Sequence, residues 1–192
     1  MGRWEEGARE RLVMAALDLF TDQGYDDTTV AQIAERAGVT RSTFFRYFPD
    51  KRDLLSAGQE TLGRLLADGI ADAPADAGPL DAVAAGLERM STAIGPMNRE
   101  IGPRLRAVIS ASTELQQRQA AKSVGLAGAI SDALVSRGIL ESTALVAGQL
   151  GVLAFHRGYE QWSEGDVDTS EEFARLTLAA LAELRTASAA LG

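Results

Sequence analysis

Cysteine is absent from this chain, which removes a disulfide framework, a cysteine–zinc site and a thiol nucleophile together. Aromatic residues are sparse at 6%, and histidine occurs once, at His156. A lone histidine cannot build a multi-histidine zinc site, and no acid pair stands near it at ligand spacing. There is no Gly-x-Gly-x-x-Gly turn, P-loop, serine nucleophile elbow or Glu-x-x-His pair. Neither an enzyme nor a metal or cofactor is therefore expected. No apolar run approaches the ~18 residues that a bilayer span requires. The opening stretch MGRWEEGARERLVMAALDLF mixes acids with bases and is amphipathic rather than signal-like, so the expected location is the cytoplasm.

What the chain does have is apolar residues, at 46% of 192, with alanine and leucine dominating the second half. That is enough to bury a core, and the mix favours helix over sheet. The net charge of −8 opposes nucleic-acid binding at first sight, because phosphate contacts dominate such affinities. Distribution matters more than the sum. Between Arg41 and Arg52 stand Arg41, Arg46, Lys51 and Arg52 against Asp50 alone. Residues 1–52 carry eight bases and nine acids, so nearly all the excess acid lies later. A basic patch on an acidic body can bind DNA locally while limiting non-specific sticking.

The spacing predicts an amphipathic helix over 5–21, ended by Gly24. A second helix follows Thr29, with Gln32 completing a capping box, and stops at Gly38. Thr40 caps a third, from Arg41 to Phe48, and Pro49 stops it. A fourth is expected from Lys51 to about Ala71. The stretch ADAPADAGP at 71–79 is the clear compositional break and reads as a loop. Beyond it helices are expected over 80–94, 103–110, 114–137, 142–162 and 169–187. The fold class is all-α, about nine helices. A three-helix head occupies 1–50, and a helical bundle occupies 51–192.

The third helix carries the chemistry. A helix that reads DNA presents short or planar polar groups near its N-terminus, the end that enters the major groove. Arg41, Ser42 and Thr43 fill that first turn. Arg41 can pair bidentately with guanine, while Thr43 offers a hydroxyl to phosphate or base. Phe44 and Phe48 share the core face, which leaves Phe45 and Tyr47 facing elsewhere as candidates to pack on sugar-phosphate or a thymine methyl. Lys51 stands where a phosphate could meet it, and Thr28 or Thr29 could add a contact beside the second helix's free N–H groups. The plainer alternative, a helical hairpin with a solvated basic face, leaves Phe45 and Tyr47 unexplained.

The stretch TTVAQIAERAGVTRSTFFRYFPDKRDLL, preceded by LVMAALDLFTDQGYDDTT, resembles the DNA-binding segment of the tetracycline-repressor (TetR) family over roughly residues 8–58. The resemblance implies contacts at Arg41, Ser42, Thr43, Phe45, Tyr47 and Lys51. It also implies a ligand-binding, dimerising C-terminal domain and a double-stranded DNA operator. Arg41 and Ser42 fall at variable positions of the pattern, so it names no base partner for them. ISASTELQQRQ and AFHRGYEQW further resemble a subgroup described as acyl-CoA-like ligand-binding regulators.

For the bundle, Met90, Ile94 and Met97 lead towards Leu105 and Ile109, and Leu126 and Ile130 follow on the long helix. Two readings stand: a plain core, or an apolar cavity for a small-molecule effector, with Arg104 and Arg106 near its mouth. His156 is either a hydrogen-bonded helix histidine or a polar ligand anchor with Tyr159 on the same face. The last two helices are alanine-rich, which permits close helix approach and a homodimer. Together these describe a dimeric, ligand-responsive, sequence-specific regulator of transcription. It reads as a repressor released from a palindromic operator by an apolar or acyl-type effector. The rival is a helical lipid or acyl carrier, which would leave residues 28–52 unexplained.

Overall fold

The computed structural model describes residues 7–56, 59–95 and 97–191, and its regular structure there is entirely helical. Helix α1 (Ala8–Gln23) buries Leu12, Leu17 and Phe20 and ends at Gly24, whose N–H donates to the Phe20 carbonyl. Helix α2 (Val30–Arg36) opens on the expected capping box: the Thr29 hydroxyl accepts from the Gln32 N–H, and Gln32 Oε1 accepts from the Thr29 N–H at 2.8 Å. Its end is a Schellman motif. The Val39 N–H reaches the Ala34 carbonyl at 2.9 Å and the Gly38 N–H reaches that of Glu35 at 3.0 Å. Gly38 sits at φ 67°, a conformation that a side chain would strain. Thr40 caps α3 (Arg41–Tyr47) by accepting from the Thr43 N–H at 3.1 Å.

After Pro49 the chain departs from the expected continuous helix. Lys51–Ser56 is a 3₁₀ turn, and α4 (Gln59–Ala71) follows it. Asp50 sets this pitch: its carbonyl takes the Asp53 N–H and its carboxylate takes the Arg52 N–H, which is i to i+3 closure. Helix α5 (Pro79–Ser91) starts with proline in its first turn, where the missing N–H costs nothing. The next helix is longer than the sequence predicts. Instead of beginning at Pro103, α6 (Met97–Ser110) carries that proline inside, where it removes the bond residue 103 would donate to the Arg99 carbonyl. Helices α7 (Thr113–Ser136), α8 (Glu141–Glu164) and α9 (Ser170–Ala189) complete the order. Among the described residues that makes nine α-helices, none long and apolar enough to cross a membrane.

Two compact units result. The first is Met1–Gly58 with Ile101–Gln117, so residues from α6 and α7 join those of the 1–50 head that the sequence predicts. Its core holds Leu12, Leu17, Phe20, Ile33, Phe44 and Phe48, with Ile101, Val108 and Leu115 from the later segment. The second unit is Gln59–Glu100 with Arg118–Gly192. Its main core gathers Leu66, Ile70, Val83, Leu87, Met90, Ile130 and Leu134, and a smaller cluster joins Ile94, Trp162 and Phe173. Helices α4 and α5 touch backbone to backbone: a Cβ on Gly69 would lie 2.7 Å from Gly86 Cα.

Candidate nucleic-acid interface and effector cavity

Helix α3 has two faces, and the split falls where residue spacing puts it. Phe44 is 0% exposed and Phe45 is 49% exposed, their rings in edge-to-face contact at 5.4 Å. Phe48 is buried 5.9 Å from Phe44. Arg41, Ser42, Phe45 and Arg46 are exposed, with Thr43 and Tyr47 half-buried. The Arg46 guanidinium lies 5.2 Å from the Tyr47 ring centroid. Tyr47 also packs against the head core. Arg41, Ser42 and Phe45 thus share an open surface, joined by Arg46. The sequence reading counted Arg46 in the charge patch but not among the contacts. Its position one turn beyond Ser42 is the signal that would have included it.

Around that surface several groups serve the head itself. Thr28 is 1% exposed, and its hydroxyl donates to the Gly24 carbonyl at 2.7 Å. A side chain so placed is a tie within the turn. Thr29 is exposed but its hydroxyl is committed to the capping box. Lys51 reaches back across 26 positions: its ammonium donates to the carbonyls of Tyr25 at 2.7 Å, Thr28 at 3.0 Å and Asp26 at 3.3 Å. It also lies 4.3 Å from the Tyr25 ring centroid. Three carbonyls match an ammonium's three donors. Lys51 therefore straps the 25–28 turn to the start of the 3₁₀ segment. Arg52 pairs with Asp50, whose hydrogen bond raises the guanidinium's pKa above its ordinary value. Asp18 on α1 accepts from Arg104 on α6, and its other oxygen lies 3.6 Å from Arg36 on α2. Arg104 is thus engaged inside the first unit. On α3 itself the basic side chains are Arg41 and Arg46, both exposed.

The predicted effector residues divide among several places. Met90, Leu126 and His156 come together in a partly open cavity of about 320 Å3 in the second unit. Ile130 is in the main core of that unit. Ile94 and Tyr159 belong to the aromatic cluster, where Tyr159 packs edge-on to Phe173 at 5.6 Å. Leu105 and Ile109 pack on the head core instead. Met97 begins α6, and its side chain lies outside the described residues. Sequence reasoning missed Leu62, Gln119, Lys122, Ser123, Ala129 and Phe155 in the cavity lining. The legible signal was the spacing 119, 122, 123, 126 along one face of α7. His156 keeps solvent access, yet the protein packed around its ring lowers its pKa below the ordinary 6.5 by desolvation. It is neutral at pH 7.

Residues 12–57 match the family model described as bacterial regulatory proteins, tetR family. The HTH-type transcriptional regulator BetI of Cronobacter sakazakii is 43% identical over 63 residues, which is 33% of this chain and 31% of that protein. The regulator TcmR of Streptomyces glaucescens is 37% identical over 75 residues, 39% of this chain and 33% of that protein. The chain thus spans about a third of the length of the curated relatives it matches. A TetR-family regulator structure from Syntrophomonas wolfei superposes with a TM-score of 0.54 at 19% identity, over 94% of this chain and 96% of that one. That likeness shows the fold.

Proposed function

We propose that this chain, whose N-terminal segment is that of the TetR family, is a dimeric, ligand-responsive transcriptional regulator acting as a repressor on a palindromic operator. The observation that carries the reading is the divided face of α3. A short, capped helix holds Phe44 in the core and offers Arg41, Ser42, Phe45 and Arg46 outward. An exposed aromatic between two arginines costs solvation unless something planar or apolar covers it, and the major groove supplies both kinds of surface. Arg41 and Ser42 read bases, and Thr43, Phe45 and Tyr47 set the register on the backbone. Lys51, Thr28 and Thr29 hold the head's shape, and any phosphate they meet is met through that shape.

Dimerisation through α8 and α9 is supported by exposed Leu145, Val146 and Leu153 on α8 and exposed Ala179 and Ala182 on α9. A two-fold dimer places two heads about 34 Å apart, one DNA turn, for successive major grooves. The cavity of Met90, Leu126 and His156 takes the effector, apolar or acyl-type. The effector acts by binding one arrangement of the dimer better than the other. The expected working place is the cytoplasm.

Binding of the full chain to a fragment of its own promoter region, followed by fluorescence anisotropy across a salt series, tests this. Affinity should fall steeply as salt rises. Salt-independent binding would remove the phosphate contacts. Lipid binding with no DNA binding at low salt would decide for the carrier.

A further inference from the structure

The helical glycines of the second unit are of two kinds. At Gly86, Gly148 and Gly158 a Cβ would collide with a neighbouring helix, lying 2.6 Å from the Leu66 carbonyl oxygen, the Ala127 carbonyl oxygen and Thr177 Cα in turn. Close helix packing accounts for these. At Gly63 of α4 and Gly125 of α7 a Cβ would meet nothing within 4 Å. Glycine inside a helix is less stable than alanine, because the unfolded chain keeps more backbone freedom. Packing therefore gives no reason for the missing side chains at 63 and 125. Both glycines line the cavity of about 320 Å3, where they leave bare backbone. On α7, Ala129 stands one turn beyond Gly125, so that wall stays low over two successive turns. Phe155 and His156 bring two rings to the same lining, 5.8 Å apart. Gly128, also on α7 and also without a neighbour within 4 Å of its Cβ position, is not among the described lining residues.

We propose that Gly63 and Gly125 set the width of this cavity for a flat, uncharged ring compound of about ten heavy atoms that bears a hydroxyl and lies over their bare backbone and against Phe155. The proposal rests on the effector reading of the same cavity and names its ligand class. Size sets the first limit: about 320 Å3 is at the small end of ligand sites, roughly ten groups at ~30 Å3 each, which a two-ring skeleton fills. Shape sets the second. A methyl at 63 or 125 would narrow the cavity; a flexible chain bends past it, and a rigid ring cannot. Polarity sets the third. Leu62, Met90, Leu126 and Phe155 supply apolar surface for the ring, while Gln119, Ser123 and His156 offer hydrogen-bonding groups to a hydroxyl. Lys122, the one described lining residue with a formal charge, already has a partner of its own, so the ligand needs no charge to answer it. An ion would have to leave its hydration behind in a mostly apolar lining.

Isothermal titration calorimetry of the full chain with 2-naphthol and octan-1-ol tests this, beside thermal unfolding of each variant. The parent chain should bind 2-naphthol. Gly63→Ala and Gly125→Ala should each raise Tm by about 2–4 °C and weaken 2-naphthol binding at least about ten-fold, while weakening any octan-1-ol binding by less than about three-fold. Gly128→Ala should raise Tm alike and leave 2-naphthol affinity unchanged. No 2-naphthol binding by the parent, an unchanged 2-naphthol affinity at either cavity position, an equal loss for octan-1-ol or an equal loss from Gly128→Ala overturns the proposal. So does a fall in Tm at position 63 or 125, which would return that glycine to packing. A DNA-release assay separates this from the broader reading. Binding of 2-naphthol without release of DNA sinks the effector role and leaves the ligand class standing. Release by octan-1-ol, where 2-naphthol does not bind, sinks the ligand class and leaves the effector role.

Discussion

Lys51 grips Tyr25 in two ways, donating to its carbonyl at 2.7 Å while its ammonium lies 4.3 Å from the ring centroid. With the Asp26 and Thr28 carbonyls, this one side chain closes the turn that leads into the helix-turn-helix. A cation that sequence position assigns to a phosphate is also a bracket for the head's own backbone.

Replacing it distinguishes the two uses. Lys51→Ala should lower stability to urea by about 1–3 kcal/mol, the cost of leaving carbonyl acceptors poorly matched. The slope of log affinity against log salt should stay unchanged. A slope reduced by about one would count Lys51 as a phosphate contact as well.

The two neighbouring phenylalanines should behave as opposites. Phe44→Ala empties a fully buried site and should cost about 3–5 kcal/mol of stability. Phe45→Ala removes a ring that is half exposed and should change stability by less than about 0.5 kcal/mol while weakening operator binding. Thermal unfolding and anisotropy on the same preparations measure both.

Arg41→Ala should relax discrimination by about 1–3 kcal/mol at one base position in each half-site, read by selection of bound sequences. An equal loss on every sequence would make Arg41 a backbone contact.

His156 should leave a signature in the pH dependence of stability. Its folded pKa is lowered by desolvation, so between that value and 6.5 the unfolded chain binds the extra proton. Stability should therefore be full above pH 6.5 and decline as the solution is acidified through that value. His156→Gln should flatten that part of a urea-midpoint profile; an unchanged profile would show that another group titrates there.

Much of the head was legible in sequence because its determinants are local. Thr29 with Gln32, Thr40 with Thr43 and Gly38 act within one helical turn. The Phe44/Phe45 split follows from the helical period alone. The cavity was only half legible. Met90, Leu126 and His156 could be named as apolar or polar anchors, but nothing local separates them from Ile130, which is core. Leu105 and Ile109 have the same apolar spacing and pack instead on the head core.

By itself, then, the sequence determined the all-α class, the capped helices of the head and the outward face of α3, since these depend on residues three or four apart. Tertiary structure decided that Lys51 turns back to Tyr25, that Arg104 is spent on Asp18, and that Lys122 of α7 and His156 of α8 line one cavity. Each of those pairs joins residues 26 or more positions apart. Only the packed chain brings residues so far apart in sequence to one place.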